Sequence, residues 1–153
     1  MPYLVFSQPS LTSLDVGQLA RHARRFFGAT FELRGRPEGG EVGELDLALA
    51  GAGGAAGASF RARVRRCVRD DYEAAEGAER AGAAGGMGRL ARRCAFVWEI
   101  ERGEAGEAEL LRLCAILASV LLGPVMPPEK DTLFGVRGAR ERAERLERSC
   151  ILR

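Results

Sequence analysis

Five arginines crowd one stretch of this chain, with Arg61, Arg63 and Arg65 at every second position, followed by Arg66 and Arg69. On an extended strand that spacing places guanidinium groups roughly 7 Å apart along one face, which suits successive phosphates or the carboxylates of a protein surface. Binding to phosphates would be steeply salt-dependent, and the aromatic side chains that stack single-stranded bases are not interleaved with the row. The competing explanation is neutralisation within a sheet. Glu44 and Asp46 occupy the polar face of the preceding strand and would stand across from the arginines.

A second motif, Gly51-Ala52-Gly53-Gly54-Ala55-Ala56, fits G-x-G-x-x-A after a strand, the form that brings a backbone close to a pyrophosphate. Asp70 and Asp71 even lie at a suitable distance for a ribose hydroxyl. The preceding segment, however, alternates Leu45, Leu47 and Leu49 with polar or small residues, whereas a central parallel strand is apolar on both faces. A flexible hairpin loop is therefore favoured over a nucleotide site.

Conventional catalytic groupings are sparse. His22 is the only histidine, lies beside Arg21 and Arg25 on the polar side of a helix, and reads as a solvated surface residue. No GxSxG, HExxH, SxxK or P-loop motif occurs. Glu99 and Glu101, beside Trp98, have the types needed for paired-carboxylate chemistry but read as outward residues of a strand. Cys94, next to Arg92 and Arg93, has the surroundings that lower a thiol pKa, without a base to complete the site. Cys67, Cys94, Cys114 and Cys150 show no CxxC or CxH spacing, so reduced thiols and a cytoplasmic location are expected. No catalytic, cofactor-binding or metal-binding residue is assigned, no cofactor is expected, and an enzyme is disfavoured.

The elements that must position these groups belong to one domain, because 153 residues suffice to bury a single self-sufficient core. Lys and Arg number 23 against 21 Asp and Glu, a net charge of +2 that excludes a histone-like or acidic disordered chain. Lys130 is the only lysine, a bias that with the abundant Ala and Gly reads as codon composition. The opening Met1-Pro2-Tyr3-Leu4-Val5-Phe6 lacks the features of a signal peptide, and Cys150-Ile151-Leu152-Arg153 ends on an unusual residue for prenylation. Residues 113–126 are strongly apolar yet too short to span a membrane, and Gly123-Pro124 interrupts them, so they read as a core helix.

Periodicity predicts a strand over 3–7 and a helix capped by Asp15 and stopped by Gly28. Strands follow over 30–34, 44–50 and 60–64, the last two forming a long hairpin with a Gly/Ala-rich tip at 51–58, although 59–68 also fits a helical period. A helix from Asp70 loosens in a second Gly/Ala-rich segment at 81–88, with a short helix over 87–93. A central strand over 95–101, a buried helix over 105–122, a rigid turn over 124–131, a short strand over 132–136 and a terminal helix complete the chain. That last helix aligns Ala139, Ala143, Leu146 and Cys150, with Glu141–Arg145 and Glu144–Arg148 as surface pairs. The fold class is α+β, a single-domain, mixed, largely antiparallel sheet packed with helices, here expected on one face only.

The opening YLVF strand, the early amphipathic helix, the stretch Arg93-Cys94-Ala95-Phe96-Val97-Trp98-Glu99, the buried helix and the closing Thr132-Leu133-Phe134-Gly135-Val136 together resemble a group of uncharacterised bacterial α+β domains. That resemblance implies no known activity. The function expected is a small non-enzymatic protein acting through protein–protein interaction, as an accessory, regulatory or immunity-type module. Its contact surface would be Arg61, Arg63, Arg65, Arg66 and Arg69, or the proline-rich connection. The alternatives are a nucleic-acid binder using the Arg61/Arg63/Arg65 strand and a nucleotide-dependent enzyme using the Gly51–Ala56 loop.

Overall fold

The computed structural model of the chain describes residues 1–35, 40–51 and 57–151, without the side chains of residues 150 and 151. Six strands, β1 (Tyr3–Ser7), β2 (Thr30–Arg34), β3 (Gly43–Ala50), β4 (Ala58–Arg66), β5 (Phe96–Glu101) and β6 (Val125–Met126), form one antiparallel sheet in the order β2-β3-β4-β5-β1-β6. The helices are α1 (Val16–Phe27), α2 (Arg69–Ala81), α3 (Met87–Arg92), α4 (Glu107–Leu121) and α5 (Val136–Ile151). The element order and the α+β class agree with the sequence reading.

Each strand's alternation determines what it buries. In β3 and β4, Leu45, Leu47 and Leu49 with Phe60, Ala62 and Val64 face one core, while the intervening residues face the other way. That core is closed by α1, α4 and α5. In α4 ten side chains are buried, and each fully buried Leu or Ile stabilises the fold by about 1.5–3 kcal/mol.

Helices lie on both faces, contrary to the single face expected. β1 and β5 are apolar at both parities, so Tyr3, Val5, Phe96, Trp98 and Ile100 face the first core while Leu4, Phe6 and Val97 face a second. Ala75 and Ala78 of α2 and Ala91 of α3 cover that second face. Alanines carry little hydrophobic pattern but let helix backbones approach the sheet closely, and this removed the sequence signal for a second layer. The cover extends over β5, β1 and β6 and leaves the outer face of β2, β3 and β4 exposed.

Local devices end the helices where the chain must turn. Asp15 Oδ1 accepts the amide of Gln18 at 3.0 Å, and Gly28, at φ 61°, closes α1 with the Gly28 and Ala29 amides on the carbonyls of Arg24 and Ala23. At the end of α4 the backbone and side-chain amides of Gln8 satisfy the carbonyls of Leu121 and Leu122 at 2.9 and 2.8 Å.

The last strand and the surface pairing of the terminal helix depart from the sequence reading. The short last strand is Val125–Met126, inside the segment read as a turn, while of residues 132–136 only Phe134 pairs, in a single bridge to Val125. Leu4 and Val5 of β1 offer Met126 and Val125 a partner strand, and Pro127-Pro128 then lacks the donors to extend it. On α5 the surface pair formed is Arg137–Glu141, at 3.0 Å, rather than Glu141–Arg145 or Glu144–Arg148. Cys150 was expected on the helix's apolar line; its side chain lies outside the described residues.

Candidate functional site

Four of the five arginines are spread along β4 and the fifth begins α2, with Arg61, Arg63 and Arg65 on the outer face of the sheet, and the register explains what each can do. On the outer face, Arg61 stands across from Asp46 of β3 and Glu101 of β5, and Arg63 stands across from Glu44 and Glu99. The positive strand is thus flanked on both sides by carboxylate strands about 4.8 Å away. Arg61 lies 3.7 Å from Glu44 and 4.0 Å from Asp46, in pairs that are largely exposed.

Arg65 is the half-buried member. Its Nη1 and Nη2 donate to the two oxygens of Asp71 at 2.7 and 2.8 Å, and its Nε donates to Glu99. The Asp71 side chain is only 8% exposed, so this is a fork-to-fork pair largely removed from water. Asp71 also accepts the amide of Val68 at 2.7 Å, capping α2 in place of Val68, which has no side-chain oxygen to do so. Donating to Asp71 raises the already high pKa of Arg65. Burial pushes the Asp71 carboxyl up, but the bonds from Arg65 and the Val68 amide outweigh it and hold the group below its ordinary value.

Arg66 pairs with Glu41 and lies 5.2 Å from the centroid of the Phe96 ring, and Arg69 pairs with Glu73 one helical turn away at 2.9 Å. Among the described residues Arg63 alone of the five makes no ion pair or side-chain hydrogen bond. The pairing with Glu44 and Asp46 was legible in the sequence; the second carboxylate flank, Glu99 and Glu101, was missed because it depends on β5 lying beside β4. Beyond the charges, Ala48 and Ser59 stand opposite each other, and their small side chains leave shallow depressions of about 320 and 390 Å³ walled by Glu32, Arg34, Asp46 and Arg61.

The remaining candidates have structural surroundings. His22 is half-buried rather than solvated. Its Nδ1 meets Ser119 Oγ of α4 at 2.7 Å, and because Ser119 donates to the Ile116 carbonyl at 2.6 Å, the histidine is the donor in a tie between two helices. A serine whose proton points back into its own helix is not poised as a nucleophile. Cys94 is buried, which raises its thiol to about 12 instead of lowering it, while Arg92 turns away to Glu76 and the Tyr72 ring. Glu99 is committed to Arg65. The Gly51–Ala56 motif lies outside the described residues apart from Gly51. Among the described residues no cluster of His, Cys, Asp or Glu could hold a metal, and no helix is long and apolar enough to cross a membrane.

On the other side of the sheet, a cavity of about 400 Å³ lies between α1, α4 and α5. Arg140 stacks there over Phe26 and Phe27, with ring centroids at 5.5 and 5.6 Å, and Arg112 pairs with Glu147. These contacts join α5 to α1 and α4. Fold and site together define an α+β domain whose sheet is covered on one face and half-covered on the other. Comparison with protein-family models, curated proteins and solved structures finds no match to the chain.

Proposed function

We propose that this chain is a small, non-enzymatic cytoplasmic protein that acts by binding another protein, as an accessory, regulatory or immunity-type module. The docking surface is the uncovered half of the sheet, centred on Arg61, Arg63 and the Ala48–Ser59 depression. The observation that carries this reading is the incomplete second layer: α2 and α3 cover β5, β1 and β6 and leave β2, β3 and β4 exposed. A broad face of alternating sign, with small residues at its centre and one unpaired arginine, has the features of a surface recognised through charge complementarity. Arg65, Arg66 and Arg69 act as supports, because their charges are already committed to Asp71 and Glu99, Glu41 and Glu73.

Protein is favoured over nucleic acid because carboxylates flank the arginine strand on both sides and would repel a phosphate backbone. The test is affinity capture from the native host with nuclease treatment, using the wild type, Arg63→Glu and Ala48→Arg. The expected result is a stoichiometric protein retained by the wild type and lost with both variants. Retention that vanishes with nuclease would move the assignment to nucleic acid, and a partner indifferent to both substitutions would remove this face from consideration.

A further inference from the structure

The two edges of the sheet are built differently. At one, β6 is two residues long, Pro124 and Pro127 bound it, and Val125 exchanges hydrogen bonds of 2.7 and 3.0 Å with Phe134 on its outer side. Short length, proline and a covering segment are the usual protections of an edge. At the other, β2 runs five residues without proline and pairs with β3 on one side only. No described residue pairs with its outer side.

The sequence of that edge is self-complementary. Glu32 and Arg34 sit two positions apart on the outer face, with Leu33 between them pointing to the core face. Two such strands laid antiparallel about Leu33 place each Glu32 against the other copy's Arg34, twice, and bring the two Leu33 side chains together. Shifting the centre to Glu32 would oppose the two glutamates, and shifting it to Phe31 would form no ion pair, so charge selects one register. Leu33 supports the same arrangement. Its neighbours in the sheet, Phe31, Leu45, Leu47 and Leu49, are buried, while Leu33 is only half-buried.

We propose that two copies of this chain associate through β2, antiparallel about a two-fold axis at Leu33, with reciprocal Glu32–Arg34 pairs fixing the register. Within each copy Arg34 bonds Glu32 at 2.7 Å, and association exchanges these two internal pairs for two between copies. Exposed pairs contribute modestly, so the dimer is weak, reversible and concentration-dependent. Glu32 and Arg34 also wall the depression of the docking face proposed above, but the association needs no partner bound there.

The test is sedimentation velocity from about 1 to 300 μM, a range that brackets a weak dimer, on the wild type, Glu32→Arg, Arg34→Glu and the double swap. Both side chains are more than half exposed, and circular dichroism verifies that each variant is folded. The expected result is a reversible wild-type dimer, weakened roughly tenfold or more by either single swap, which opposes like charges. The double swap, which recreates both pairs with signs exchanged, restores association to within about threefold of wild type. A wild type that stays monomeric throughout would overturn the proposal, as would a dimer unaffected by the single swaps or not recovered by the double swap.

Discussion

Arg65 and Asp71 share two hydrogen bonds, of 2.7 and 2.8 Å, that fasten the first turn of α2 to the end of β4. Removing one partner strands the other in a largely dry site, which costs more than the pair itself contributes. Asp71→Asn should destabilise the protein by roughly 2–3 kcal/mol, measured by urea unfolding. The same substitution should flatten the acid limb of the stability profile. Asp71 has a lower pKa folded than unfolded, so its contribution is complete above the unfolded value near 4 and is lost as pH falls through the lower folded value. An unchanged slope below about pH 4 in the variant would show that other carboxylates govern acid unfolding.

At alkaline pH the sign reverses. Burial raises the Cys67 thiol to about 11 and the Cys94 thiol to about 12, from an ordinary 9.0. Burial also raises Tyr3, whose hydroxyl donates to Glu107 at 2.7 Å. Groups with raised folded values contribute stability that is complete below their unfolded values and lost as pH rises through the folded ones. Stability should therefore fall between about pH 9 and 11, and Cys67→Ser should make that fall shallower. Chemical unfolding at stepped pH under reducing conditions checks both.

Glycine substitutions separate close packing from helix propensity. A Cβ on Gly123 would lie 2.0 Å from the Phe6 carbonyl oxygen and 2.9 Å from Cys94 Sγ, so Gly123→Ala must displace the backbone of β1. A loss of about 3 kcal/mol or more is expected. Gly77, inside α2, has nothing within 4 Å of its added Cβ, and Gly77→Ala should stabilise by about 0.4–1 kcal/mol. Thermal melts of the two variants should move in opposite directions.

Trp98 is 1% exposed and its Nε1 has no hydrogen-bond partner among the described residues. Trp98→Phe removes both ring volume and an unsatisfied donor, and these effects oppose each other. The expected cost is below about 1.5 kcal/mol, against 3–5 kcal/mol for Trp98→Ala. Circular dichroism is the readout, since each variant loses the only tryptophan. A phenylalanine variant as unstable as the alanine one would contradict the absence of a satisfied donor.

The fold is legible in the chain where one strand or helix carries its own period. Leu45, Leu47 and Leu49 against Phe60, Ala62 and Val64 were enough to place the hairpin, and Asp15 and Gly28 were enough to bound α1. The second helical layer left a fainter trace, in the two-sided apolar character of Leu4, Phe6 and Val97, because its own contacts are made by Ala75, Ala78 and Ala91. In the site, the arginines and their β3 partners were visible. Glu99 and Glu101 could not be placed beside them without knowing that β5 pairs with β4. The bond between Arg65 and Asp71 spans six residues, yet its geometry depends on the turn through Cys67 and Val68.

The position of β1 has a consequence for biogenesis. Tyr3 pairs with Ile100 and Leu4 with Met126, so the strand at the centre of both cores waits for partners that follow roughly ninety and more residues later. At ribosomal speeds of about 5–20 residues per second, that is a delay of several seconds or more. Throughout it a largely apolar segment has no strand partner in the nascent chain, and closure of the sheet comes after translation of α4 and β6. This protein's yield in a cell should therefore respond to chaperone supply and elongation rate more than its equilibrium stability alone would indicate.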